Sequence, residues 1–491
     1  MGINIHILPP VSSATVGAAS PVSVRGRESD RVDWGRRRGG LRWAMAAQEP
    51  GLGFYHFAIG PLAKMSRTVT TKCLRAALRT KAVHSAPASL SPKSFPRVRM
   101  STVVENLNPK VPTLSGVSAS LSPPPPPPPP PPQPHTPTSH ERMESERREK
   151  ATKILRDAVA ANAPRHDWTR EEISAIYYQP LMELAYQAAN VHRRFHNPAH
   201  VQLCTLMNIK TGGCTEDCSY CAQSTRYQKG TGLEAKKAES VETVLAAARV
   251  AREKGSTRFC MGAAWRDMRG RKNALRNIKA MVQGVRALGM ESCVTLGMID
   301  AAQARELKDA GLTAYNHNVD TSREFYPSVI STRTYDERLK TLSHVRDAGI
   351  SVCSGGILGL GESSEDRVGL LHTVSTLPSH PESFPVNALV PIKGTPLGER
   401  PPVEFTTVLR TIAAARILMP ATIIRIAAGR KTMAEEKQAL CFMAGANAIF
   451  TGEKMLTTEC NGWDEDSAMF GRWGLEPMKS YEKSPVPEQG A

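Results

Sequence analysis

The stretch TRFCMGAAWRDMRGRKNALRNIKAMVQGVRALGMESCVTLGMIDAAQARELKDAG, Thr257–Gly311, carries one pattern twice over. A β-rich run at Thr257–Gly262 leads into a helical pattern at Leu275–Leu288 that stops at Gly289. A second run at Ser292–Gly297 then leads into Ala301–Ala310, which stops at Gly311. Glycine just past a helix is a C-cap signal, because it reaches the left-handed conformation without a Cβ clash. Strand, helix, stop and strand again is the signature of βα units around a parallel sheet.

The same alternation continues on both sides. Further strands are expected near Thr205–Lys210, Thr313–Asn318, Ile350–Gly355, Phe384–Val390, Thr422–Ala427 and Asn447–Thr451. Helices fall between them at Val241–Lys254, Tyr335–Ala348 and Val408–Leu418, with Gly255 and Gly349 as further stops. Eight βα units in about 250 residues fit an α/β fold, a (β/α)8 TIM-type barrel, with functional groups at the C-terminal strand ends. A doubly wound open sheet is the alternative. A mostly helical extension, Glu141–His200, precedes the barrel and is expected to cover one end. The expected organisation is a disordered leader over 1–149, the barrel over 150–480 and a flexible tail over 481–491.

The whole chain has 491 residues and a net charge of +17, but the charge is uneven. Met1–Lys110 carries +12 and the remainder +5, so the basic excess belongs to the leader and nucleic-acid binding is not expected. No run approaches the ~18 apolar residues of a membrane span, and membrane insertion is not expected either. The ten consecutive prolines Pro123–Pro132 should form a polyproline II spacer of roughly 31 Å, at ~3.1 Å per residue. A ligand for a proline-recognising domain is the alternative. Gly51–Val104 contains no acidic residue, and Met65–His84 mixes Lys and Arg with Leu, Ala, Ser and Thr. That composition is the one found in mitochondrial transit peptides, so a mitochondrial matrix location is expected. Because this segment begins well inside the chain, translation is expected to start near Met65, or the residues before it to be absent from the native protein.

Ten cysteines lie at 73, 204, 214, 218, 221, 260, 293, 353, 441 and 460. Scattered through a large chain with no secretory signal, they do not read as a disulfide scaffold. Three form a C-x3-C-x2-C loop after the first strand, Cys214, Cys218 and Cys221. Three thiolates can hold a 4Fe–4S cube at three irons and leave the fourth open; zinc with a further His or Cys is the alternative. Cys260, Cys293, Cys353 and Arg425 each sit near mid-strand, on the second, third, fifth and seventh strands. On a shared inward face they would replace the branched aliphatics that usually fill a barrel. A buried arginine needs anionic compensation. The set suits a second, anionic 2Fe–2S cluster with three thiolates and one guanidine.

With Tyr220 before its last cysteine, the first loop resembles the radical S-adenosylmethionine superfamily, as does Gly355-Gly356-Ile357-Leu358-Gly359-Leu360-Gly361-Glu362. The inner Cys–Cys–Cys–Arg set narrows the resemblance to the biotin synthase family, together with GGCTEDCSYCAQS, STRFCMGAAWR, AYNHNVDTS, RDAGISVCSGGILGLGE, IKGTP, RIAAGR and CFMAGAN. The resemblance implies S-adenosylmethionine on the open iron of the 4Fe–4S cluster, reductive cleavage to a 5′-deoxyadenosyl radical, and dethiobiotin as substrate. It implies that the 2Fe–2S cluster is the sulfur donor, and that no residue serves as a general acid or base. It also implies an electron donor such as a ferredoxin or flavodoxin, an iron–sulfur assembly machinery and a homodimer.

Period-two alternation would put Asn316, Asn318 and Asp320 of the fourth strand on one polar face. The resemblance gives Asn318 and Asp320 to S-adenosylmethionine and Asn316 to either ligand. Arg338 is a carboxylate partner, with an exposed helix salt bridge as the alternative, and Asn387 a contact to the ureido ring. Cys73, Cys204, Cys441 and Cys460 match no ligand position, and His192 and His196 read as surface or packing residues. Another radical S-adenosylmethionine enzyme and a non-catalytic iron–sulfur scaffold are the rival functions.

Overall fold

The computed structural model of the chain describes residues 138–479. The transit-like segment Met65–His84, Cys73, the run Pro123–Pro132 and the 481–491 tail lie outside the described residues.

Three helices come first, α1 (Ser139–Ala160), α2 (Arg170–Tyr177) and α3 (Leu181–Phe195). Helix α1 begins upstream of the Lys150 boundary because Thr138 and Glu141 form a reciprocal capping box: Glu141 N donates to Thr138 Oγ1 at 3.2 Å, and Thr138 N to Glu141 Oε2 at 2.7 Å. The charged run Glu141–Lys150 is thus part of a helix, and it is exposed.

Eight parallel staves follow. They are β1 (His200–Lys210), β2 (Arg258–Ala263), β3 (Glu291–Thr295), β4 (Ala314–Asn316), a broken stave of β5 (Ser351–Cys353) and β6 (Gly356–Leu358), β7 (Ser383–Ala388), β8 (Ile423–Ile426) and β9 (Ala448–Phe450). Each pairs with its neighbour, and β1 pairs with β9 in the register Gln202↔Ala448, which closes the barrel. The open-sheet alternative is thereby excluded. The fifth stave breaks where a Cβ on Gly355 would lie 2.1 Å from Pro385 O. Proline also offers no N–H to a ladder, so the chain steps past it before β6 resumes with Gly356↔Val386.

The outer helices are α4 (Gln228–Thr231), α5 (Val241–Glu253), α6 (Lys272–Ala287), α7 (Ala301–Asp309), α8 (Tyr335–Asp347), α9 (Ser364–Ser375), α10 (Phe405–Leu418), α11 (Glu435–Met443) and α12 (Trp463–Trp473). A hairpin, β10 (Lys454–Met455) and β11 (Thr458–Glu459), follows β9, and β12 (Glu476–Pro477) pairs with the start of β1. Strand alternation divides the core. Phe259, Met261, Val294, Val352, Ile424 and Ile426 face the helix layer in one continuous apolar cluster, while Cys260, Cys293, Cys353 and Arg425 face inward.

The N-terminal extension covers the bottom by way of α3. The C-cap residue His196 places its Nε2 2.9 Å from Pro420 O and 2.8 Å from Arg416 Nη1. His192 and His196 are buried packing residues rather than surface ones. No helix among the described residues is long and apolar enough to cross a membrane.

Candidate functional site

A cavity of about 330 Å³ opens at the C-terminal end of the barrel. Its lining includes Cys214, Cys218, Cys221, Cys260, Cys293, Cys353 and Arg425, and also Asn316, Asn318, Asp320, Arg338 and Asn387. The twelve residues expected at the site therefore meet at one place.

The upper thiols sit on the loop after β1. Gly212 and Gly213 have φ of +64° and +76°, which turns the chain sharply out of the strand. The loop then folds on itself: Cys214 N donates to Gln223 O at 3.1 Å, and Thr225 N to Cys214 O at 2.8 Å. Asp217 pins it from below, accepting from Ser331 N at 3.0 Å and Thr332 Oγ1 at 2.8 Å. Burial disfavours the Asp217 charge, but these donors more than offset it and hold the carboxyl at about 2. Burial pushes the thiols the other way, Cys221 to about 11, with Cys214 and Cys218 also raised. Metal binding there must displace protons, because the thiolate is the ligand.

The lower set comes from four staves. Cys260 and Cys293 are in register on β2 and β3, and Cys353 pairs with Ser383 of β7. Arg425 reaches across from β8, donating from Nη1 to Ser383 Oγ at 2.9 Å and to Cys353 Sγ at 3.7 Å. Its Nη2 donates to Gln202 Oε1 at 2.9 Å and to Cys204 Sγ at 3.2 Å. A second buried arginine, Arg258, is neutralised by Glu291 at 2.6 Å. Arg425, only 1% exposed, has no carboxylate partner among the described residues, and its Nε is a buried donor without an acceptor. A buried cation surrounded by thiols and short of an anion fits a sulfide-rich anionic cluster. Among the described residues, no three Cys, His, Asp or Glu side chains stand together to hold one metal ion. The thiols of a polynuclear cluster bind separate irons.

The polar wall differs from its expected form. Strand β4 ends at Asn316, so Asn318 and Asp320 belong to the following loop, not to one strand face. Asp320 takes φ +69°, held by Ile357 N donating to its carbonyl at 2.7 Å and by its own N–H donating to Gly355 O at 3.2 Å. The three side chains still face the cavity. Asn316 Nδ2 donates to Cys353 Sγ at 3.3 Å, and Asn318 Oδ1 accepts from Gly355 N at 3.2 Å. Arg338 is buried rather than an exposed helix salt bridge. Its Nη2 lies 2.6 Å from Asp320 Oδ2, which also accepts from Tyr220 OH at 3.0 Å. Asn387 ties staves together, donating to Gly356 O at 2.9 Å and accepting from Ala428 N at 3.3 Å. Glu362 closes its own glycine loop, accepting from Gly359 N at 3.0 Å and Gly361 N at 3.1 Å.

Sequence reasoning missed Gln202, Cys204 and Ser383, the inner partners of Arg425. Strand β1 starts at His200 rather than Thr205, which brings Gln202 and Cys204 into the barrel wall.

Residues 208–374 match the Radical SAM superfamily, and residues 385–476 match the Biotin and Thiamin Synthesis associated domain. The chain is 72% identical over 329 residues to the mitochondrial biotin synthase of Emericella nidulans, covering 67% of this chain and 83% of that one. It is 60% identical over 332 residues to the biotin synthase of Schizosaccharomyces pombe, covering 67% and 90%. Among solved structures, methylornithine synthase superposes with a TM-score of 0.56 at 17% identity, over 66% of this chain and 97% of that one, a likeness of fold.

Proposed function

The chain belongs to the biotin synthase family, and from that premise we propose how its cavity divides the work of converting dethiobiotin to biotin. Its cofactors include a 4Fe–4S cluster and S-adenosylmethionine. In our reading Cys214, Cys218 and Cys221 hold that cluster, and Cys260, Cys293, Cys353 and Arg425 hold a 2Fe–2S cluster below it. When bound, the upper cluster with S-adenosylmethionine supplies the hydrogen-abstracting radical, and the lower cluster supplies the sulfur.

The protein's own part is placement and exclusion of water. Dethiobiotin carbons have no useful acidity, so no side chain is asked to act as a base. Asn318 and Asp320 bind S-adenosylmethionine. Arg338 holds Asp320 in place and keeps its charge compensated. Asn316 touches both the Cys353 sulfur and Asn318, which sets the reacting carbon between the two thiol groups. Asn387 offers its amide to the ureido ring. The Tyr220–Asp320–Arg338 chain couples the upper loop to this wall, so substrate and loop keep a fixed separation.

The observation that carries this reading is the lining of one cavity by both thiol groups, the guanidinium and the amide wall. We place the chain in the mitochondrial matrix, from the acid-free basic segment and from relatives described as mitochondrial. An electron donor such as a ferredoxin or flavodoxin, an iron–sulfur assembly machinery and a homodimer complete the proposal. Anaerobic reconstitution with iron, sulfide, reductant, S-adenosylmethionine and dethiobiotin tests it. Formation of 5′-deoxyadenosine with biotin is expected. Deoxyadenosine without biotin would overturn the substrate, and its absence would overturn the radical reaction.

A further inference from the structure

A fourth thiol packs against the inner cysteines, beside Arg425 of the cavity lining. Cys204 on β1 is fully buried and forms one cluster with Cys260, Cys293 and Ala314. It therefore packs with two of the three inner thiols rather than with the apolar layer outside the barrel. Its Sγ accepts from Arg425 Nη2 at 3.2 Å and donates to Gln202 Oε1 at 3.5 Å. The same Nη2 also donates to Gln202 Oε1 at 2.9 Å, making a closed triangle of Gln202, Cys204 and Arg425. A buried cysteine is ordinarily a small hydrophobe. This one instead contacts the single charged group of the cavity lining that has no carboxylate, and the Nε of that group is buried without an acceptor.

We propose that Cys204 belongs to the inner cluster site, where it positions the Arg425 guanidinium and stands as the alternative ligand at that corner. With arginine in place, Cys204 and Gln202 on one side and Ser383 on the other fix the guanidinium between β1 and β7. With arginine removed, Sγ borders the vacated space, and no other thiol among the described residues accepts a hydrogen bond from Nη2. Ligation then forms one Fe–S bond in place of the arginine contact and releases the thiol proton to solvent, with no change in oxidation state. Charge at the corner becomes more negative, so the cluster becomes harder to reduce.

This inference rests on the two-cluster reading, and one set of variants separates the two. The full-length wild type, C353A, R425A, C204A and C204A/R425A are reconstituted anaerobically with iron and sulfide. Mössbauer spectra, circular dichroism, iron per chain and midpoint potential are then recorded. We expect R425A to keep an inner cluster with a four-thiolate spectrum and a lower potential. C204A should keep the cluster with an altered spectrum, because the guanidinium loses one of its stays. The double variant should lose inner-cluster affinity by at least roughly 10–100-fold relative to R425A, since losing a residue that merely supports a ligand already costs that much. C204S/R425A, which preserves volume, should give an oxygen-ligated spectrum distinct from both. If R425A and C204A/R425A have superposable spectra and equal iron, the Cys204 assignment is overturned while the two-cluster reading stands. If the wild type shows no inner cluster, or C353A keeps it unchanged, both fall together.

Discussion

Replacing Asp320 by asparagine removes one charge from the buried network between the cysteine loop and the cavity wall, and little else. Asparagine tolerates the φ of +69° found there, and its amide oxygen still accepts from the Tyr220 hydroxyl. What it cannot do is neutralise Arg338, whose Nη2 sits 2.6 Å from the carboxylate with both side chains all but fully buried. Leaving one member of a buried ion pair without its partner costs about 3–5 kcal/mol. Arg338 retains the Tyr326 hydroxyl at 2.8 Å from Nε and the Tyr326 ring 5.2 Å from its guanidinium. Those partners survive the substitution, so the lower end, about 3 kcal/mol, is expected. Urea denaturation of the anaerobic full chain measures it, alongside R338M and D320N/R338M. The double variant has no orphaned charge and should be at least ~1 kcal/mol more stable than D320N. A D320N cost under ~1 kcal/mol, the range of exposed pairs, would refute the reasoning. So would single-variant losses that simply add in the double variant.

Cys353→Ala should abolish the inner cluster's visible absorption and leave that of the upper cluster, read by anaerobic absorption spectra; equal loss of both would contradict two separate sites. Gly355→Ala places a Cβ 2.1 Å from Pro385 O, and should cost ~1–3 kcal/mol in denaturant titration while moving Cys353 enough to lower inner iron content. Burial, reinforced by the Arg416 charge, lowers His196 from its usual 6.5 to about 2, and the same causes lower His192. Both are neutral in the folded chain, so the unfolded chain binds more protons below pH 6.5 and stability falls with pH. The expected slope there is about 1.4 kcal/mol per pH unit for each histidine. Urea midpoints between pH 7 and pH 5 should show it, with a flatter profile in H196N; identical slopes would count against the assignment.

All eight staves could be read from the sequence because helix stops at Gly255, Gly289, Gly311 and Gly349 punctuate it, and β-rich runs lie between them. That Cys260, Cys293, Cys353 and Arg425 share the barrel interior was legible for a related reason. Three thiols and an arginine at mid-strand positions are poor filler for an aliphatic barrel, so their chemistry stood out. Cys204 did not stand out, since Gln202 and His200 make the first half of β1 look unlike a buried strand. Barrel closure against β9 supplies the strand partner of Gln202, and β12 that of His200. The early end of β4 was equally hidden. The left-handed turn at Asp320 is imposed by hydrogen bonds with Gly355 and Ile357, which are remote in sequence. The commitment of Arg338 to Asp320 likewise depends on α8 docking beside that turn.

The two groups of thiols differ in how far the chain must travel to assemble them. Cys214, Cys218 and Cys221 share one short loop, pinned by its own hydrogen bonds and by Asp217. Cys260 and Cys293 meet on neighbouring strands, but the full set with Cys353 and Arg425 exists only once β8 has docked, and Gln202 and Cys204 meet Arg425 only then. Contacts between residues so distant in sequence form late, after the closure entropy of the whole barrel has been overcome. The upper site is thus a local property of the polypeptide and the lower one a property of the finished cylinder. On the proposed two-cluster reading, an agent that filled the lower site would act on a completed barrel, and one that refilled it would work through the mouth, where the loop of the upper site also lies.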